Sequence, residues 1–174
     1  MKQNFGSPFA TAVVLAAVLL VTGIGLGAQR AGQAASTVGV EVSLKAGTGT
    51  YASRGQGSCT HAPQASIYGV TSQMWTVRHQ DQGRSVQLTF WKPTDGSNTM
   101  FSLSMNGKPR ASVSTVRGRT ASAGATPEGS GTVTFAPAGK GGTFTIDAKT
   151  ATGDPIAGTI KCDAFTAAVA EGGN

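Results

Sequence analysis

Residues 74–91 read MWTVRHQDQGRSVQLTFW, two runs of alternating apolar and polar residues joined by a polar turn that carries one glycine. A period of two is what a strand shows when one side meets a core and the other meets water, and two such runs across a turn make a β-hairpin. With His79 opposite Arg84 across the loop Gln80, Asp81, Gln82 and Gly83, Trp75 falls opposite Leu88 and Val77 opposite Val86. One face then holds Trp75, Val77, Val86, Leu88 and Phe90. The other holds Met74, Thr76, Arg78, Ser85, Gln87, Thr89 and Trp91, nearly all polar. The hairpin has one side for a core and one for solvent.

The same design repeats on either side of it. From Thr37 to Lys45, Val38, Val40, Val42 and Leu44 alternate with Gly39, Glu41, Ser43 and Lys45, a half-buried strand. Gly47, Gly49, Gly55 and Gly57 predict an interruption that ends at Cys59, with a short strand over Ala65 to Val70. Beyond Trp91, the run Lys92, Pro93, Thr94, Asp95, Gly96 is turn chemistry.

Strands follow at about Asn98 to Asn106 and Arg110 to Val116. A tight Asn106-Gly107 turn would set Met105 against Lys108 and put Pro109, which has no N–H, into the ladder. A longer loop pairs Met105 with Ala111 and Leu103 with Val113, and that register is expected. Arg117 to Ser130 reads as a long polar loop. Strands Gly131 to Ala136 and Thr143 to Thr150 bring Phe135 opposite Phe144 and Val133 opposite Ile146. The last strand, Ile156 to Ala164, sets Ile160 opposite Ile146 and Cys162 opposite Phe144, with Cys162 facing inward. Phe165 to Asn174 is expected to fray. The expectation is an all-β fold, an antiparallel β-sandwich of about eight strands. A closed up-and-down β-barrel is the alternative, because both architectures demand the same alternation.

The N-terminus is not fold material. Lys2 precedes the unbroken apolar run Ala12 to Val21, and small residues follow, the pattern of an export signal. Gly32 and Ala34 suit a cut after Ala34, so residues 1–34 read as a signal peptide and 35–174 as a single β-domain. The apolar stretch Phe9 to Ala28 is close to the roughly 20 residues that span a bilayer, so an uncut anchor is the alternative. With cleavage no membrane span remains, and the domain is expected to be secreted or periplasmic. Cys59 and Cys162 are the only two cysteines, and in an oxidising compartment they are expected to pair. In composition the chain has the general look of small exported bacterial β-domains.

Charge is uneven. Without Lys2 and Arg30, 12 basic residues face 8 acidic ones. No acid occurs from Gly96 to Pro127, where Lys108, Arg110, Arg117 and Arg119 lie. The plain reading is a solvated edge that discourages strand-to-strand aggregation. The functional reading is a basic patch for acidic polysaccharide or another envelope component, with nucleic acid not expected of an exported chain.

Catalytic chemistry is thinly represented. His61 and His79 are the only histidines, and no G-x-S-x-G elbow occurs. An exported hydrolase would have to use His79 with Asp81 and a remote serine, or acids such as Asp147, although Asp81 is explained by the turn beside it. No C-x-x-C, H-x-H or H-E-x-x-H spacing is present, so neither a metal site nor a cofactor is expected. His61, His79, Met74, Met100 and Met105 are soft ligands, but packing accounts for them.

Trp91 stands out. It falls on the polar face with Arg78, Gln87 and Thr89, where a flat ring among hydrogen-bonding side chains can serve as a platform for a sugar or another flat ligand. Cover by a neighbouring loop is the plain alternative. The sequence therefore predicts a non-catalytic exported binding or structural module, with an exported hydrolase and a β-barrel carrier of a small apolar ligand as the alternatives.

Overall fold

A computed structural model describes residues 37–117 and 127–169. The expected signal segment, Arg119 and the last five residues lie outside that range. The strands are β1 Val38–Ala46, β2 Gly49–Ile67, β3 Val70–Asp81, β4 Arg84–Pro93, β5 Met100–Asn106, β6 Ala111–Ser114, β7 Ser130–Ala138, β8 Gly141–Lys149, β9 Pro155–Cys162 and β10 Thr166–Ala167. No helix occurs among the described residues.

The strands form one antiparallel sheet in the order β6-β5-β4-β3-β2-β1-β9-β8-β7, with β10 added in parallel to β2. This corrects the expected two-sheet sandwich: the sheet coils into a nearly closed barrel. Continuity comes from β2, which pairs with β1 from Gly49 to Gly57 and with β3 from Gly57 onward. One long strand thus carries the ladder around the corner where a sandwich would break it. Closure is incomplete: the two edges of the nine-strand path, β6 and β7, run in the same direction and share no ladder. The isolated bridge between Ser114 and Glu128 and the approach of β5 to β7 hold the seam.

The glycines expected to interrupt the chain before Cys59 lie instead at a turn and inside β2. Gly47, at φ 55°, sits in the β1–β2 turn. Within β2 the missing side chain is what allows close approach, since a Cβ on Gly57 would lie 2.6 Å from the Arg78 carbonyl oxygen and 2.7 Å from Val40 Cγ2.

Two registers differ from expectation by two residues. In the central hairpin Trp75 pairs with Phe90, Val77 with Leu88 and His79 with Val86. The turn is the two-residue Gln82-Gly83, both at positive φ (48° and 75°), and it is closed by an ion pair between Arg84 and Asp81 at 2.8 Å. In the last hairpin Ile160 pairs with Phe144, and Cys162 with Gly142. A two-residue slip preserves which face each side chain takes. Accordingly Trp75, Val77, Val86, Leu88, Phe90 and Cys162 are all buried. The pairings Met105 with Ala111, Leu103 with Val113, Phe135 with Phe144 and Val133 with Ile146 stand as expected.

Cys59 and Cys162 form a disulfide across 103 residues. It joins the middle of β2 to the end of β9, and the bond is consistent with an extracellular or periplasmic location.

Candidate functional site in the mouth of the barrel

Alternation sends Trp75 of β3, Phe90 of β4 and Phe144 of β8 inward near one end of the barrel, with Phe135 of β7 half-buried beside them. Their rings meet: Trp75 lies 5.6 Å from Phe90 and 5.1 Å from Phe135, and Phe135 lies 4.8 Å from Phe144, centroid to centroid. His61, from the part of β2 that reaches past β1, stacks on Trp75 at 4.5 Å with the planes only 11° apart. Between these rings is a cavity of about 840 Å³ walled by His61, Trp75, Phe90, Phe135 and Phe165.

One wall is built by Phe165, Thr166 and Ala167, part of a strap running back across the mouth. Phe165 N–H donates to the Lys140 carbonyl at 2.9 Å, Thr166 Oγ1 to the Cys59 carbonyl at 3.2 Å, and Ala168 N–H to the His61 carbonyl at 3.0 Å. The Phe165 ring stands edge-on to Phe135 and Phe144. Fraying was the sequence expectation for Phe165 onward. The described part is tied down because those carbonyls and the two phenyl faces were waiting for it.

The electrostatics of the mouth are simple. Lys92 at the end of β4 and Lys140 in the β7–β8 turn line it, and among the described residues no Asp or Glu does. Burial holds the His61 imidazole below its ordinary pKa, so the ring is neutral near pH 7. Its Nε2 is buried and has no hydrogen-bond partner.

At the other end the interior holds one buried histidine among apolar side chains. His79, 2 % exposed, donates from Nδ1 to the Gln56 carbonyl at 3.1 Å, and its Nε2 is 3.0 Å from Ser53 Oγ. Asp81 accepts from Arg84 at 2.8 Å. The hydrogen bond from Arg84, with a smaller one from Ser53, holds its carboxyl below the usual range. The Arg84 guanidinium lies 4.5 Å above the Tyr51 ring, whose phenol is pushed up by burial. The serine within reach of His79 is thus Ser53, and Asp81 is engaged chiefly by Arg84.

The candidates on the outer face are placed apart from the mouth. Trp91 is half-buried in the ladder between Met74 and Met100, and it lines none of the three concavities. Arg78 and Gln87 face each other across β3 and β4 and line a second hollow of about 400 Å³, while Thr89 pairs with Thr76 outside it. Of the basic residues singled out, the three that are described do not form one cluster, and Arg119 lies outside the described residues. Lys108 and Arg110 lie in the β5–β6 turn, whereas Arg117 follows the far end of β6 and lines a different hollow, with Met100 and Thr132. Among the described residues no three of His, Cys, Asp and Glu gather as metal ligands would.

Sequence reasoning weighed His61 only as a histidine base or soft metal ligand and gave Lys92, Lys140 and Phe165 no part in a site. The usable signal was Phe135 paired with Phe144 on the face of Trp75 and Phe90, too many rings for one end of a small barrel to leave unrelated. Compared with known proteins, the chain matches no family model, no curated protein and no solved structure.

Proposed function

We propose that this domain is a non-catalytic binding module, secreted or periplasmic, that takes a small apolar ligand into the aromatic mouth of its barrel. The observation that carries this reading is the cavity of about 840 Å³ walled by five rings and left unfilled by the described side chains. Its size falls within the range of small-molecule sites, roughly 300–1,000 Å³, and barrel mouths are a recurrent place for them. Desolvating a flat apolar ligand against these rings supplies the driving force, and the few polar groups at the rim orient it.

The test is a titration with the neutral fluorophore N-phenyl-1-naphthylamine. Saturable enhancement at one probe per chain, weakened by Phe165→Ala and unchanged by Trp91→Ala, is the expected result. No saturable enhancement would overturn the reading.

A hydrolase is the second reading, favoured by the 3.0 Å approach of Ser53 Oγ to His79 Nε2. A nucleophile needs space beside it for a substrate, and Ser53 lines none of the three concavities. The pair is better explained as a hydrogen-bonded interior histidine.

A further inference from the structure

We infer that the ligand of the mouth is a planar apolar acid, held with its ring system inside and its carboxylate at the rim. The inference rests on the reading of the mouth as a ligand site and adds the chemical class of what fills it.

Planarity follows from the walls. His61 lies face to face on Trp75, with centroids 4.5 Å and planes 11° apart, and Phe135 is inclined to Trp75 by 41° at 5.1 Å, so the walls are ring faces and ring edges. A flat ring system can stack on a ring face and meet the neighbouring rings at a tilt, two favoured arrangements for aromatic groups. A branched, globular ligand would touch each wall at few points.

The acid follows from charge. Lys92 and Lys140 come from separate elements, the end of β4 and the β7–β8 turn, and both residues line the cavity although both are exposed. A lysine so placed can lay its methylenes along apolar surface and keep its ammonium in water. The mouth therefore has apolar depth and a cationic rim. No carboxylate among the lining residues neutralises either ammonium, and the neutral imidazole of His61 adds no charge below them. A ligand complementary to that gradient is apolar at one end and anionic at the other.

The experiment is calorimetric titration of the full domain with three flat isosteres: 2-naphthoate, naphthalene-2-carboxamide and 2-naphthylmethylammonium. The carboxylate is expected to bind about tenfold more tightly than the amide, equivalent to about 1.4 kcal/mol, with the ammonium weakest. Raising the salt should narrow the gap, because rim charges are screened. Lys92→Gln and Lys140→Gln should each weaken the carboxylate severalfold and leave the amide unchanged, and the double variant should bind the two alike. Equal affinity for carboxylate and amide in the wild type, or preference for the ammonium, would overturn the acid while leaving the mouth as an apolar site. Failure of all three probes to bind would overturn the mouth reading, and the inference with it.

Discussion

The two tryptophans show what one position along a strand decides. Trp75 and Trp91 lie 16 residues apart on adjacent strands, yet Trp75 is 5 % exposed inside the barrel and Trp91 sits half-buried outside. Trp75→Ala is expected to cost about 3–5 kcal/mol in denaturant melts, the usual range for a buried aromatic, and Trp91→Ala about 1 kcal/mol. Equal losses would contradict the assignment of faces. His61 offers a second test, through pH. Its imidazole is held below the ordinary 6.5 by burial, so on acidification the unfolded chain takes up the proton first. The stabilising contribution is full above that ordinary value and is lost as pH falls from it through the folded value. His61→Gln should therefore flatten the decline in stability as pH falls below the ordinary histidine value of about 6.5. A slope identical to the wild type would show that His61 titrates alike in both states.

Among the elements, inward and outward faces were legible because a period of two is written side chain by side chain. Trp75, Val77, Val86, Leu88 and Phe90 are buried as that pattern requires. Register was less legible, since it depends on turn length: the central loop is two residues and not four, and nothing in the alternation counts turn residues. The glycines of β2 were read as breaks because propensity ignores what packs against a strand, here Val40 and the Arg78 carbonyl beside Gly57. The strap was missed for the same reason. Its strand is only Thr166–Ala167, too short to show a period, and what fixes it comes from β2, β8 and the β7–β8 turn. Ending the chain after Asp163 should leave the disulfide and the ladder intact and remove one wall of the mouth. Binding of N-phenyl-1-naphthylamine is then expected to weaken at least about tenfold, equivalent to ~1.4 kcal/mol, with far-ultraviolet circular dichroism unchanged. Undiminished binding would detach the strap from the site.

At the scale of the molecule, barrel and sandwich were indistinguishable in sequence because both bury alternate residues of every strand. The choice is made by length: a 19-residue β2 carries the ladder around the corner, and the seam lies where the edges β6 and β7 share no ladder. The candidate site was legible only in part, since its rings come from β2, β3, β4, β7 and the strap and meet only when the sheet coils. Coiling also separates the aromatic mouth from the other end at His79 and from the outer stripe of Gln87, Thr89 and Trp91. The most direct test of the mouth as the binding site is where a ligand lands. In ¹H–¹⁵N spectra recorded as N-phenyl-1-naphthylamine is added, shifts should concentrate at the amides of His61, Gln73, Thr134, Lys140 and Phe165 and at the Trp75 indole N–H, with the Trp91 indole unmoved. Shifts centred on Trp91, Thr89 and Gln87, with the Trp75 indole unmoved, would contradict it.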